Sequence, residues 1–512
     1  MRDFIAAKLL VSPAIRRKEG DLSLLPDCCT VHKVTPVPPE SETEIEFYTA
    51  AKVTVLAPVD MYTIFNTSAI LYSLAYDCSI DDNMLIRSLS NVLFYFPCIG
   101  AKFRELNTNN DQDMKMLTDQ ERDLIQNRRK KVAVLDHTNR FMNVIVCRKD
   151  SKTFLKNCIS SHTMDIASII DHPQFLDEFI VENEVAIPYS KKELSRIQIT
   201  YLEDCNKMVI SLSLNHSAGG AELGHYFLQC WSEMVRCGKI SEKPTVSRLE
   251  LILAKNKLDH IFQYTHPEVK SIFHEYVFNM AKTMLTCRFK VRKVVLGKEK
   301  IDSFKDQIRN KLGERAPKIL SANDIICGIL FKMMAHGNSN LSDDTILNLR
   351  IVSNYKYIYP PIMFDTLSKI FVGNSQMPIW IAKSKSELCK MSLEECIALV
   401  RSQVQEQYSE TNVRKFIEET SKSYHDERRS DWYRPIMTNQ RTTLSFSNWS
   451  IFKFLDIDFG QGKPSRLLNL KDIEAVHIAF CMQQTENTFT LSCGLTDEEW
   501  TYMSSLISLF LF

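Results

Sequence analysis

The pattern of apolar and polar positions is clearest in the middle of the chain. From Met208 to Leu214 apolar residues occupy every second position, which predicts a strand with one face for a core. Leu223, Phe227 and Trp231 then follow four residues apart, which predicts one stripe of a helix. His216 lies on the short joint between these elements, where an imidazole can move a proton. Most histidines at strand ends are structural, so the joint alone leaves both roles open.

Similar patterns predict further elements along the chain. Strands are predicted for residues 51–59, 142–147, 196–202 and 347–353, the third forming a hairpin with the strand before His216. Helices are predicted for residues 82–96, 300–312, 321–334, 392–413 and, after a capping box at Thr496, for the C-terminus. Residues 20–45, which are rich in proline, serine and glutamate, are predicted to form an extended lead-in.

The length of 512 residues exceeds one ordinary core and favours two domains of roughly 200 residues each. We expect an N-terminal half over residues 1–240, a crossover over 241–284 and a C-terminal half over 285–512. Residues 105–140 change to a polar composition and are predicted to be a surface insertion.

Composition and charge exclude several classes of protein. The 63 lysines and arginines nearly cancel the 62 acidic residues, which argues against a general nucleic-acid binder. The 15 cysteines include no pair with zinc-ligand spacing, so we expect reduced cysteines in a cytoplasmic protein. We expect no signal peptide, because Asp3 and Lys8 interrupt the apolar stretch at the N-terminus, and no transmembrane segment, because no apolar run reaches about 18 residues.

A second informative stretch, residues 445–464, lies near the C-terminus. Its Asp458-Phe-Gly460 alone would suggest a protein kinase, but no glycine-rich loop, strand lysine or His-Arg-Asp loop accompanies it. Together with the His216 joint it resembles the BAHD family of acyl-CoA-dependent acyltransferases, which carries HxxxDG and DFGWG. Here residues 216–221 read His-Ser-Ala-Gly-Gly-Ala and residues 458–462 read Asp-Phe-Gly-Gln-Gly.

Further family segments match in the same order, at residues 82–104, at the helix start Ser321 and at Phe371-Val-Gly-Asn374. The resemblance implies an α/β fold with two chloramphenicol-acetyltransferase-like domains. Each would be a mixed β-sheet flanked by helices, with an active-site tunnel at the interface between the domains.

The resemblance also implies the roles of individual side chains. His216 would be the general base, and the Ser447 hydroxyl and Trp449 indole N–H would face the oxygen that becomes negative. Ser321 would contribute to acyl-CoA binding. No metal and no permanently bound cofactor are expected, because acyl-CoA is a co-substrate whose thiolate leaves directly.

Both motifs depart from the family pattern, and Ala221 stands at the final glycine of HxxxDG. Gly220 replaces the aspartate of HxxxDG, which in the family is structural and pairs with an arginine of a strand in the other half. The matching strand here retains Arg350 but has Val352 at the second arginine place. If Val352 replaces the pairing arginine, both charges are gone; losing one partner alone would cost about 3–5 kcal/mol. Gln461 replaces the tryptophan of DFGWG.

The sequence therefore predicts a monomeric, cytoplasmic acyltransferase that moves an acyl group from acyl-CoA to a hydroxyl or amine of a small-molecule acceptor. The alternative is a non-catalytic family member that acts as a binding partner in a larger complex. Gly220 and Gln461 favour the alternative, whereas His216, Ser447 and Trp449 favour the enzyme.

Overall fold

The computed structural model describes residues 29–49, 52–56, 69–119, 121–122, 131–149, 194–216, 218–244, 289–355, 373–423, 441–468, 477–508 and 510. Within these ranges the strands form three sheets. The strands are β1 Cys29–Val34, β2 Val53–Val55, β3 Ala69–Tyr76, β4 Lys102–Asn107, β5 Lys131–Asp136, β6 Met142–Lys149, β7 Ser195–Leu202, β8 Lys207–Asn215, β9 Lys290–Gly297, β10 Ile346–Asn354, β11 Gln376–Ser384, β12 Thr443–Asn448, β13 Arg466–Leu468, β14 Ile478–Thr485 and β15 Thr488–Leu495.

The α-helices of the described residues lie between and after these strands. They are α1 Glu42–Thr49, α2 Asp82–Tyr95, α3 Asp111–Met114, α4 Ala221–Cys237, α5 Lys298–Leu312, α6 Ala322–His336, α7 Lys385–Lys390, α8 Leu393–Gln407, α9 Glu410–Ser423 and α10 Asp497–Ile507. No helix in these parts of the chain combines the length and the apolarity that crossing a bilayer requires.

The first sheet has the order β1-β6-β7-β8-β3-β13 and contains the predicted hairpin, β7 with β8. β6 and β7 run parallel, and the other neighbours run antiparallel. The alternation in β8 predicts one buried face, yet residues of both faces are buried. The polar face is satisfied internally in part, because the Ser73 and Ser211 hydroxyls lie 2.5 Å apart.

Helices α2 and α4 pack together against the apolar face of the first sheet. Asp81 caps α2 by accepting from the Met84 N–H. Trp231, on the predicted stripe of α4, is fully buried and donates its indole N–H to the Leu85 carbonyl and the Ser88 hydroxyl, both at 3.1 Å. These hydrogen bonds hold α4, and therefore the joint before it, in a fixed place.

The second sheet has the order β11-β10-β12-β14-β15-β9. Its central strands β10, β12 and β14 run parallel, and α6 covers one face with a nearly continuous set of buried residues. α6 begins as predicted at Ser321, which forms a reciprocal capping box with Asp324. The capping box at Thr496 likewise opens α10.

The C-terminal half of the chain contributes a strand to the first sheet. β13, which follows the second motif, adds to the first sheet beside β3. The Tyr76 hydroxyl of β3 donates to the Ile457 carbonyl at 2.9 Å, and the rings of Tyr72 and Phe454 lie 4.9 Å apart. The C-terminal half therefore completes the sheet that carries His216.

Several expectations were wrong in detail. The predicted lead-in contains β1 and α1, and the predicted insertion contributes β4 and β5 to a third sheet, β2-β5-β4, with Leu106 and Val134 fully buried. These short stretches pair with distant strands, which local composition does not reveal. The single helix predicted over 392–413 is two helices, because α8 ends at Gln407 and α9 begins at Glu410.

The expectation of reduced cysteines is wrong for one pair. Cys29 and Cys147 are direct partners on neighbouring strands, with Cα atoms 4.2 Å apart, and form a disulfide. Their separation by 118 residues hid the pairing in the sequence. The domain boundaries stay a prediction. Most of the 241–284 crossover, the Pro360-Pro361 break and the start of Phe371-Val-Gly-Asn374 lie outside the described residues.

Candidate active site

His216 lies where the sequence places it, after β8 and before α4. The side chain is partly exposed. The other half of the chain contacts it twice: the Asn374 amide donates to the His216 carbonyl at 2.9 Å, and Gln376 Nε2 lies 3.5 Å from His216 Nε2. Backbone and ring of the candidate base are therefore both contacted by the residues that lead into β11.

Gly219 of the joint and Gly224 of α4 permit close packing just after His216. A Cβ atom on Gly219 would lie 2.4 Å from a methyl of Leu223, and one on Gly224 would lie 2.3 Å from the Tyr72 ring. The Tyr72 hydroxyl donates to the Ala221 carbonyl at 2.7 Å. Burial, followed by the nearby Glu222 carboxylate, raises the pKa of Tyr72 well above its usual value, so the hydroxyl stays a donor.

The position of the missing aspartate faces amides. A Cβ atom on Gly220 would lie 3.0 Å from Gln376 Nε2 and 3.4 Å from Asn374 Oδ1, and no other atom of the described residues outside its chain neighbours comes within 4 Å. Neither Arg350 nor Val352 is therefore adjacent to this point. The replacement of the pairing arginine by Val352 stays a prediction.

Ser447 and Trp449 meet directly at the end of β12. The Trp449 indole N–H donates to the Ser447 hydroxyl at 3.0 Å, and both side chains are half-buried. The Trp449 ring lies 5.6 Å from the ring of Tyr72 and 5.6 Å from that of Phe480. Tyr72 in turn holds the first residue of α4, so one buried ring connects the two parts of the candidate site.

Ser321 stands at the N-terminus of α6, where its hydroxyl bonds Asp324. The first turn of α6 is tied to the end of β12, because Asn448 donates to Asn323 at 3.1 Å. The contact of Ser321 with acyl-CoA stays a prediction. Within the described ranges no group of three or more histidine, cysteine, aspartate or glutamate side chains could hold a metal ion.

The Asp458 loop is architectural. Asp458 Oδ1 accepts from the Gly460 N–H at 2.6 Å and from the Gly462 N–H at 3.0 Å. Both glycines have left-handed backbone angles, with φ of 102° and 110°, which residues with side chains rarely adopt. Gln461 is exposed between them, so the substitution at this place leaves the turn intact.

Sequence reasoning missed a second connection between the halves. Glu222, in the first turn of α4, is buried and accepts from the Asn354 amide at 2.7 Å, while the Ser375 hydroxyl donates to Asn354 at 2.6 Å. Gln376 was missed as well. No local pattern marks an amide or a carboxylate whose partner lies more than 100 residues away.

A protein-family model described as the transferase family matches residues 145–502, most of the chain. The chain belongs to the BAHD transferase family. Comparison with curated protein sequences gives no match. The expected fold of two mixed-sheet bodies flanked by helices is confirmed for this BAHD member.

Solved structures support the same fold. Vinorine synthase is similar with a TM-score of 0.61 and 16% identity, over 94% of this chain and 97% of that chain. TRI101 of F. graminearum, complexed with ethyl coenzyme A, has a TM-score of 0.60 and 13% identity over 88% and 97% of the two chains. TRI101 of F. sporotrichioides, complexed with coenzyme A and T-2, has a TM-score of 0.58 and 14% identity over the same shares.

Proposed function

We propose that this BAHD protein transfers an acyl group from acyl-CoA to a hydroxyl or amine of a small-molecule acceptor, with His216 as the general base. The observation that carries the proposal is the pairing of the Trp449 N–H with the Ser447 hydroxyl. The Trp449 ring lies against that of Tyr72, which also holds the helix after His216. The TRI101 structures complexed with coenzyme A add support for acyl-CoA as the donor.

The proposed reaction needs one proton carrier and one oxyanion site. His216 Nε2 takes the proton of the acceptor while the acceptor's oxygen or nitrogen attacks the thioester carbonyl carbon. The Ser447 hydroxyl donates to the oxygen that becomes negative, and the Trp449 N–H, which donates to Ser447 Oγ in the structure, leaves that contact to donate to the same oxygen. The carbon–sulfur bond then breaks, and His216 returns the proton to the departing thiolate. No covalent acyl-enzyme forms, and Ser321 is proposed to contact acyl-CoA at the start of α6.

The alternative, a non-catalytic binding partner, depends on the two departures from the motifs. The residues around Gly220 and around Gln461 both favour the enzyme. Two neutral amides face the Cβ position of Gly220, and Gln461 is exposed in a loop whose Asp458 contacts persist. We propose an active, monomeric and cytoplasmic enzyme.

The test is a screen of the purified protein against a panel of acyl-CoAs and alcohol or amine acceptors. Release of free thiol and mass spectrometry of the acylated product are the two readouts. We expect at least one donor and acceptor pair to turn over and His216→Ala to abolish it. A full-length, folded protein that releases thiol with no pair, or only as fast as His216→Ala, would support the binding-partner alternative instead.

A further inference from the structure

The residues that lead into β11 contact His216 at two atoms of different kinds. Asn374 donates its side-chain amide to the His216 carbonyl at 2.9 Å, which fixes the backbone of the joint. Two residues later, Gln376 Nε2 lies 3.5 Å from Nε2 of the His216 ring. We call Asn374 and Gln376 the amide pair. It belongs to the C-terminal half, whereas His216 belongs to the N-terminal half.

Gly220 leaves space for this pair. Its backbone angles, φ −78° and ψ −176°, are extended and open to any residue, so its conformation does not require glycine. Space favours it, because a Cβ atom would lie 3.0 Å from Gln376 Nε2 and 3.4 Å from Asn374 Oδ1, which is closer than most Cβ contacts. A side chain at 220 would therefore shift the Gln376 amide beside the ring by a few tenths of an ångström.

The chemistry of the two groups decides what the contact does. A neutral imidazole has one N–H donor and one nitrogen with a free lone pair, whereas an amide nitrogen only donates. An amide N–H that faces a ring nitrogen therefore favours the tautomer in which that nitrogen has the lone pair. At 3.5 Å the contact is long and weak, so an acceptor hydroxyl can replace the amide.

We propose that Gln376 is a positioning residue for His216, which keeps the lone pair on Nε2, and that Gly220 replaces the family's aspartate because it admits Gln376. The inference rests on the proposed function for its catalytic meaning. A neutral amide suits this role because it cannot itself accept the proton that His216 must take. Gly220 and Gln376 face each other across the contact between the halves. The loss of the HxxxDG aspartate and the presence of Gln376 are then a single, coupled change.

The first test is the tautomer of His216 in the full chain, measured by nuclear magnetic resonance of protein labelled with ¹⁵N-histidine. The His216 signals are those missing from His216→Gln. We expect wild type to have the proton on Nδ1, and Gln376→Leu to move it wholly or partly to Nε2. Gln407→Leu is the matched control, because Gln407 donates to the Trp380 carbonyl of the same strand β11 and should lower Tm without changing the tautomer.

The second test is a kinetic cycle. Gln376→Leu should lower kcat by about 10–100-fold with little change in KM for acyl-CoA, because the ring is misplaced and the donor site is not. Gly220→Ala should lower kcat in the same direction, and Gly220→Ala with Gln376→Leu should be no worse than Gln376→Leu alone. Thermal melts of each variant show whether it is folded.

Three results would overturn the inference: a proton on Nε2 in wild type, an unchanged tautomer in Gln376→Leu, or independent, multiplying losses in the cycle. A wild type that transfers no acyl group would defeat the proposed function. The tautomer measurement still decides the Gln376 contact in that event, because it needs no turnover.

Discussion

His216 and His477 both stand at strand ends, and their surroundings are opposite. His216 follows β8, is partly exposed and meets the amides of Asn374 and Gln376. His477 precedes β14, is 3% exposed and lies 2.5 Å from the carboxylate of Glu499, which is completely buried. A strand end therefore says nothing by itself about the role of a histidine. The groups that face the ring distinguish a candidate base from a structural group.

The surroundings of His477 stabilise the charged carboxylate of Glu499. Glu499 also accepts from the Asn338 amide at 2.6 Å and from the Thr496 N–H at 2.9 Å. Burial by itself would raise the pKa of Glu499, but His477, Thr496 and Asn338 outweigh it, so the pKa lies below its usual value. Such a pair fastens α10 to the start of β14. The neutral amides at His216 leave its ring available to exchange a proton.

The largest effect is expected at His216. His216→Ala should lower acyl transfer by ~10²–10⁴-fold, because the general base is lost. Its Tm should stay close to that of wild type, since a partly exposed ring is removed. Activity and thermal melts of the same preparation check both parts. Full activity in a folded His216→Ala protein would contradict the catalytic role.

At His477 we expect the opposite, a loss of stability with little loss of activity. His477→Ala should destabilise the fold by about 1–3 kcal/mol, because it removes the contact of the ring with the buried Glu499 carboxylate. Turnover per folded molecule should change little. Denaturant unfolding measures the loss, and His477→Gln, which can still donate to Glu499, should recover part of it. A wild-type unfolding curve for His477→Ala would mean that the pair contributes nothing.

Trp449→Phe should come next in size. It keeps the ring contact with Tyr72 but removes the N–H donor to the developing oxyanion, so turnover should fall by up to ~10²–10³-fold with little change in acyl-CoA affinity. Its loss should combine with that of His216→Ala less than multiplicatively, as both serve one transition state. Trp380→Phe, a half-buried tryptophan of β11, is the control. Equal losses in both variants would assign Trp449 a packing role.

The smallest effect concerns pH. The pKa of Glu499 in the folded protein lies below its usual 4.5, so the carboxylate stabilises the fold above that value, and this stability is lost as pH falls through the folded pKa. Melts of wild type and Glu499→Gln should therefore differ most near neutral pH and converge in acid. The exposed neighbour variant Glu498→Gln should show no such convergence. A pH-independent difference would mean that the ionised form is not the stabilising one.

The pattern of residues along the chain predicted those helices and strands that are determined by interactions within a few residues. The β7–β8 hairpin, the α4 stripe and the capping boxes at Ser321 and Thr496 follow from alternation, spacing and side-chain oxygens within a few residues. β3, which lies between β8 and β13, was missed. Its residues Ala-Ile-Leu-Tyr-Ser-Leu-Ala-Tyr lack a polar face, since a central strand is covered on both sides.

The site was only half predictable for a related reason. His216, Ser447 and Trp449 could be named from motifs, because each motif is continuous in sequence. Gln376, Tyr72 and the Glu222–Asn354 bond act across the two halves, and their partners are set by the packing of one sheet body against the other. Side-chain spacing along a single segment contains no information on such contacts.

The most direct test of the account is chemical modification of both histidines in one experiment. Diethyl pyrocarbonate reacts with accessible imidazoles, and peptide mass spectrometry reports each site while acyl transfer is assayed on the same samples. We expect activity to fall in step with modification of His216, acyl-CoA with acceptor to slow that modification, and His477 to stay unmodified in the folded protein. Full activity after complete modification of His216 would contradict the central claim.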